Sequence, residues 1–94
     1  MAIVMQMSWP EVTKEQYEKV RKDVNWEGSV PRGAKFHVAY MAKDGFRVLD
    51  LWDSAQDFNA FVETRLMAAV QKVGIKTQPA VEISEAHAIF APNP

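Results

Sequence analysis

His37, Asp50 and Trp52 are the residues of this sequence whose types and spacing point to chemistry. His37 lies in the apolar run KFHVAYMA, and Asp50 interrupts the apolar run FRVLDLW two residues before Trp52. A histidine titrates near neutral pH and can act as a general acid or base. A carboxylate in an apolar run needs a partner, because an unpaired buried charge is costly. His37 and Asp50 are therefore a candidate catalytic pair, and the indole of Trp52 is a candidate surface for a flat aromatic ligand.

Each of these residues also has a purely structural interpretation. A histidine within a strand is as often a hydrogen-bonded core or interface residue as it is a base. A tryptophan at the end of a strand is more often a packing residue than a ligand platform. Gln6 and His87 are further candidates for ligand contact if their strands turn them toward the same face. The two histidines have no second ligand at metal-site spacing and the chain has no cysteine, so no metal site or other cofactor is predicted.

A hairpin at Asp44-Gly45 positions the candidate pair. An Asp-Gly pair between two apolar runs is a strong hairpin signal, because both loop positions tolerate positive φ. With these two residues as the loop, Asp50 pairs with Ala39 and lies diagonal to His37. Side chains alternate between the two faces of a sheet. One face is therefore predicted to carry His37, Ala39, Met41, Val48, Asp50 and Trp52, and the other to carry Val38, Tyr40, Leu49 and Leu51.

The remaining segments predict the order β-α-β-β-α-β. The first strand is predicted at Ala2–Met7, and a first helix at Lys14–Asn25 begins with a capping box formed by Thr13 and Gln16. A second helix runs from a cap at Ser54 to a left-handed stop at Gly74, and the last strand is predicted at Ala80–Phe90. This order is that of an α+β, ferredoxin-like fold, in which a four-stranded antiparallel sheet carries both helices on one face.

Both faces of the predicted sheet are apolar, so both need a cover. We expect the helices to cover the face with Val38 and Tyr40. The face with His37 and Asp50 would then be covered by a second copy of the chain, because a face this apolar is not suited to water. Within that homodimer, Trp52, Met41 and Val48 are predicted to form the apolar wall of a pocket for a small hydrophobic or aromatic ligand.

Length and composition exclude several classes of protein. Ninety-four residues predict one domain, and the hydrophobic fraction of 48% and charged fraction of 24% are those of a globular protein. The formal charge of −1 gives no reason to expect binding to nucleic acid or to an acidic membrane. The start MAIVMQMSWP lacks the features of a signal peptide or a membrane span, so the expected compartment is the cytoplasm.

The central stretch of the chain resembles a known superfamily. The residues that carry the resemblance are His37, Asp44-Gly45, Arg47-Val48, Asp50, Trp52 and Ser54, followed by Phe58, Phe61 and Leu66. This pattern resembles the dimeric α+β barrel superfamily, and within it the antibiotic biosynthesis monooxygenase-like domains. The resemblance runs from the first strand to about Gly74. It implies a homodimer in which two sheets pack face to face, with a pocket in each protomer.

The resemblance implies several activities, because the superfamily includes cofactor-free quinone-forming oxygenases, haem-degrading enzymes, isomerases and proteins of unknown function. The haem degraders use a strand asparagine with a helix tryptophan and histidine. Here Phe61 and Gln71 occupy the two helix positions, and the first strand has no asparagine, so haem degradation is not predicted. The leading hypothesis is cofactor-free oxygenation or proton transfer on an aromatic or polyketide-like compound, with His37 as the base. The alternative is a non-enzymatic binding or assembly module in which the same residues stabilise the dimer.

Overall fold

The computed structural model describes residues 2–92 and has the predicted ferredoxin-like architecture. Its elements are β1 (Ile3–Trp9), α1 (Lys14–Val24), β2 (Ala34–Ala42), β3 (Gly45–Trp52), α2 (Ala55–Phe61), a π-helical segment (Val62–Leu66), α3 (Met67–Val73) and β4 (Ala80–Glu85). The strands form one antiparallel sheet in the order β2-β3-β1-β4. The prediction that the first and third strands are central is confirmed.

The first helix begins where its local sequence predicts. The Thr13 hydroxyl accepts a hydrogen bond from the Gln16 amide at 3.1 Å, and the Gln16 side chain accepts one from the Thr13 amide at 3.0 Å. This capping box satisfies two amides that the first turn leaves without helical partners. The helix ends one residue earlier than predicted, because Asn25 adopts the left-handed conformation with φ 56°. Val20 and Val24 turn inward and are buried.

The second helical stretch, residues 55–73, has the predicted ends but a different middle. Ser54 caps it by accepting a hydrogen bond from the Asp57 amide, and Gly74 ends it with φ 92°. The inward-facing side chains step by five positions from Phe61 to Leu66, and the π-helical segment Val62–Leu66 accommodates that step. Uniform α-helical spacing was the prediction, so this segment is a correction to it.

The hairpin turn lies one residue earlier than predicted. Lys43 and Asp44 form the turn, and Gly45 opens β3 with φ 115°. A Cβ atom on Gly45 would lie 2.6 Å from the Cα atom of Pro10, so only glycine fits this position. The register moves by two residues as a consequence, and His37 pairs directly with Asp50 rather than diagonally. Because the shift is even, the two predicted sets of side chains still share their faces.

The prediction of which face the helices cover was wrong. The face with His37 packs under the helices, and its Val48, Asp50 and Trp52 are buried. On the opposite face, Val38 and Tyr40 remain 38% and 44% exposed. Both faces of the sheet are apolar, so the face that the helices cover depends on which side chains of β1 point inward. The bulky residues of β1 pair with the buried positions of β3 and lie on the helix side: Ile3, Met5, Met7 and Trp9.

The last strand is shorter than predicted, and the first is longer. β4 ends at Glu85 instead of Phe90: Glu85 pairs with Ile3, the first residue of β1, and the amide of Ala86 donates to the carbonyl of Ala2. β1 extends to Trp9, where the indole Nε1 donates to the Thr77 hydroxyl at 2.8 Å. Within the described residues 2–92, no helix has both the length and the apolar composition needed to cross a bilayer.

Candidate active site

A cavity of about 300 Å³ lies between the sheet and the helices of the single chain. Apolar side chains from both layers form most of its wall, including Met5, Val48, Trp52, Phe58, Phe61 and Leu66. Its volume is at the lower end of the range for small-molecule sites, and an apolar lining with a few polar groups is typical of them. The cavity is therefore inside the protomer, not between two sheets as the sequence predicted.

One wall of the cavity carries a row of hydrogen-bonded side chains. The Nδ1 atom of His37 lies 2.7 Å from Oδ1 of Asp50, and the indole Nε1 of Trp52 donates to Oδ2 of Asp50 at 3.0 Å. On the other side of the imidazole, Nε2 lies 2.8 Å from the hydroxyl oxygen of Tyr17. The Asp50 side chain is 7% exposed and that of His37 is 31% exposed. The row therefore runs from a buried carboxylate to an imidazole that solvent can reach.

The partners in this row assign its protons. An ionised carboxylate only accepts hydrogen bonds, so Nδ1 of His37 carries the hydrogen and donates it to Asp50. In the neutral imidazole Nε2 is then the acceptor, and the Tyr17 hydroxyl donates to it. Burial raises the pKa of Tyr17 to about 12, so its hydroxyl keeps its proton at neutral pH. The resulting arrangement is an imidazole oriented by hydrogen bonds at both nitrogen atoms, with Nε2 at the cavity wall.

Aromatic rings hold Tyr17 and His37 in place at the cavity wall. The ring of Trp26, in the loop after α1, has its centroid 5.0 Å from that of His37 and 5.9 Å from that of Tyr17. The Tyr17 ring also lies 5.1 Å from that of Phe46. All four residues line the cavity. Tyr17 is the site residue that the sequence prediction missed, because α1 was assigned to the other face of the sheet.

The structure separates the predicted site residues into two groups. His37, Asp50, Trp52 and Val48 line one cavity together. Three other predictions place residues wrongly. Met41 lies near the hairpin turn, is 47% exposed and does not line the cavity. Gln6 pairs with Leu49 on the outer face of the sheet, and His87 lies exposed beyond the end of β4.

The carboxylates in the cavity wall are paired with side chains of the protein and are not arranged as metal ligands. Among residues 2–92, no group of three histidine, cysteine, aspartate or glutamate side chains is placed to hold a metal ion. The lining also includes Glu27, which forms a two-point ion pair with Arg21 at 2.7 Å. The charged side chains Asp50 and Glu27 of the wall are therefore each paired with a donor, and Nε2 of His37 is paired with the Tyr17 hydroxyl.

Comparison with solved structures identifies the fold. SnoaB, a cofactor-independent oxygenase from Streptomyces nogalater, matches with a TM-score of 0.63 and 10% identity over 95% of this chain and 94% of that one. A candidate antibiotic biosynthesis monooxygenase from Caulobacter crescentus matches with a TM-score of 0.64 and 20% identity over 93% and 89%. A dimeric ferredoxin-like protein of unknown function from Thermobifida fusca matches with a TM-score of 0.63 and 16% identity over 92% of both chains.

Matches at these identities concern the fold and not the reaction. No family model and no curated protein matches the chain. The structural matches span nearly the whole of both chains, so the common architecture includes the cavity-forming layers as well as the sheet. The chain therefore has the fold of the antibiotic biosynthesis monooxygenase-like proteins, as the sequence resemblance predicts.

Proposed function

We propose that the protein binds a small aromatic or polyketide-like molecule in its cavity and that His37 removes a proton from it. The observation that supports this proposal is the Asp50–His37 pair, at 2.7 Å, in the wall of a mostly apolar cavity. An apolar cavity selects a flat hydrophobic ligand, and an oriented imidazole supplies the one group that can react with it.

The proposed step is a proton transfer to Nε2 of His37. An acidic O–H or C–H group of the ligand gives its proton to Nε2, and the ligand keeps the electron pair as an enolate or phenolate. The imidazolium that forms is stabilised by Oδ1 of the Asp50 carboxylate. The Trp52 indole donates a hydrogen bond to the other oxygen, Oδ2, and so keeps the carboxylate in position. Because water is largely excluded from the Asp50 side of the pair, this charge stabilisation is stronger than it would be in bulk solvent.

Oxygenation without a cofactor is the reaction class that this anion allows. An electron-rich enolate can react with dioxygen, and conversion of a CH2 group to a carbonyl consumes one O2 and releases one water, so no external reductant is needed. The cofactor-independent oxygenase SnoaB has the same fold, which supports this class. If no oxygen reacts, return of the proton to another carbon gives an isomerisation, which uses the same base.

Oxygen consumption with anthrone, a tricyclic ketone with an acidic CH2 group, tests the proposal. Wild-type protein should accelerate uptake above the rate without protein, and His37→Ala should lower that acceleration by about 100-fold or more, the usual contribution of a positioned base. His87→Ala makes the same chemical change outside the cavity and should have no effect. A folded His37→Ala protein with wild-type uptake and ligand binding would show that His37 is not the base.

A ligand-binding protein without turnover is the second candidate. The structure favours it through one observation: Nε2 of His37 is already occupied by the Tyr17 hydroxyl, so each polar atom of the pair is satisfied. This candidate predicts ligand binding with no oxygen uptake. The version of it in which His37, Asp50 and Trp52 join two sheets does not fit their position under the helices.

We also propose that the protein is a homodimer formed through the outer face of the sheet. That face carries apolar side chains that the helices leave at least partly exposed: Val4, Val38, Tyr40, Leu49 and Leu51. The Thermobifida fusca protein with this fold is described as dimeric. A second copy placed on this face would cover it and leave the cavity of each protomer open to ligand.

A further inference from the structure

We infer that Tyr17 is a latch on the candidate base: its hydroxyl holds Nε2 of His37 until a ligand bearing a phenol or enol O–H group takes its place. This inference rests on the proposed function, because it assumes that the ligand meets His37 at Nε2. It adds the residue that controls access to the base and the chemical group that the ligand must present.

The geometry of the site places Tyr17 in competition with the ligand. The hydroxyl oxygen of Tyr17 lies 2.8 Å from Nε2 of His37, which is an ordinary hydrogen-bond distance. Neutral imidazole has a single lone pair at this nitrogen, and the other nitrogen is committed to Asp50. A ligand O–H can therefore reach the base only if the Tyr17 hydroxyl leaves it.

Tyr17 is suited to hold the base and not to replace it. Its ring is nearly parallel to that of His37, with an angle of 11° between the planes and 6.1 Å between the centroids, and its centroid lies 5.1 Å from that of Phe46. A protonated phenol in this position donates its hydrogen and removes none from a ligand. Because Tyr17 belongs to α1 and His37 to β2, their hydrogen bond joins the two layers that enclose the cavity, and it must break when the O–H group of a ligand binds to Nε2.

The latch defines the class of ligand that benefits. A ligand with an O–H group exchanges one hydrogen bond at Nε2 for another, so its access is limited by the strength of the Tyr17 bond. A ligand of the same shape without an O–H group leaves Tyr17 in place. Tyr17 therefore lowers the affinity for phenols and enols and has no direct effect on their ethers.

The test compares 4-nitrophenol with its methyl ether, 4-nitroanisole, at a pH where the free phenol is protonated. Tyr17→Phe keeps the ring and removes only the hydroxyl, so it should bind 4-nitrophenol about 3- to 10-fold more tightly, the range expected for one net hydrogen bond. Its affinity for 4-nitroanisole should not change. A larger share of the bound 4-nitrophenol should also absorb as nitrophenolate in Tyr17→Phe than in the wild type, because Nε2 is no longer bonded to a tyrosine hydroxyl and accepts the proton of the ligand. His87→Ala, outside both the cavity and the proposed dimer face, should alter none of these values.

Two further measurements separate the latch from the base. If Tyr17→Phe binds 4-nitrophenol no more tightly than wild type, the latch is refuted. If His37→Ala keeps wild-type affinity for 4-nitrophenol, the proposed function fails whatever Tyr17 does. The ¹⁵N resonance of Nε2 in the empty protein needs no ligand: it should shift in Tyr17→Phe, and an unchanged resonance would refute the closed latch even if neither nitro compound binds.

Discussion

The two carboxylate oxygens of Asp50 have different partners, and this division explains why a buried aspartate is tolerated in β3. One oxygen accepts from His37 and the other from the indole of Trp52, so the charge meets two donors. A buried carboxylate without them would be strongly destabilising. The same two contacts fix the tautomer of the imidazole, which is the property that a base requires.

Substitution of Asp50 should therefore affect stability and activity differently according to the replacement. Asp50→Ala leaves two donors without a partner and should lower the free energy of unfolding by about 1–3 kcal/mol. Asp50→Asn fills the same volume, so it should cost less stability, but its amide N–H favours the other tautomer of His37 and should abolish turnover. Urea unfolding and oxygen uptake measure the two effects.

A surface aspartate provides the control for this substitution. Asp53 pairs with Lys35 at 3.2 Å, and both side chains are at least half exposed. Asp53→Ala should therefore change the unfolding free energy by less than about 1 kcal/mol. Equal losses for Asp50→Ala and Asp53→Ala would mean that the carboxylate of Asp50 is not held by its two donors.

Alkaline pH should destabilise the protein through Tyr17. Its pKa is raised from 10.0 to about 12 in the folded protein, chiefly by burial, so the unfolded chain loses this proton first. The contribution of Tyr17 to stability is therefore complete below pH 10 and is lost as the pH rises through about 12. Tyr17→Phe should remove this part of the pH dependence. Urea unfolding in steps across that range measures it, and an identical alkaline loss in both proteins would contradict the assignment.

Side-chain pairing across the hairpin could be predicted from sequence only in part. The alternation of β2 and β3 was enough to place His37 and Asp50 on one face, because an error of two residues in register leaves the faces unchanged. It was not enough to find Tyr17, since α1 meets His37 only in the folded chain. Gln6 was misplaced because one position in a strand does not reveal which face is covered, and His87 was misplaced because β4 ends at Glu85, before it.

At the scale of the elements, local chemistry was predictable and lengths were not. The caps at Thr13, Ser54 and Gly74 depend on neighbours within a few residues, and all three are present. The end of β4 depends on how far β1 extends beside it, which is a contact between distant segments. The turn residues of the hairpin depend on Pro10, which approaches Gly45 from another part of the chain.

The approach of Pro10 predicts different costs for two glycine substitutions. Gly45 and Gly74 both have positive φ, so alanine at either position is strained by about 1–2 kcal/mol. A Cβ atom at Gly45 would also meet the backbone of Pro10, whereas one at Gly74 would meet open space. Gly45→Ala should therefore lower the free energy of unfolding by clearly more than Gly74→Ala. Thermal or urea unfolding of the two variants is sufficient, and equal losses would contradict the crowding at Pro10.

At the scale of the whole molecule, the arrangement of layers was predictable but their orientation was not. The element order led to the ferredoxin-like fold and to the central positions of β1 and β3. Both faces of the sheet are apolar, so composition alone could not show which one the helices cover. The correction moves the candidate site from a dimer interior into the single chain and gives the proposed interface a different set of residues.

The proposed interface predicts a change in mass when it is charged. Leu49→Lys places an ammonium group in the middle of the outer face, where a second copy would bury it, and should convert the dimer to a monomer. Met67→Lys adds the same charge to α3, where the side chain is already 49% exposed, and should leave the dimer intact. Sedimentation velocity at micromolar concentration distinguishes the two, and a wild-type monomer would refute the interface.

The π-helical segment Val62–Leu66 constrains how this chain can vary in length. Successive residues of an α-helix are rotated by about 100°, so deletion of one residue from the segment would turn all of α3 by that angle. Ala69 would then leave its buried position, and Val70 and Val73 would face away from the sheet. A relative whose helix is uninterrupted must therefore be aligned with a one-residue gap here, since an ungapped alignment would equate inward with outward positions through to Gly74.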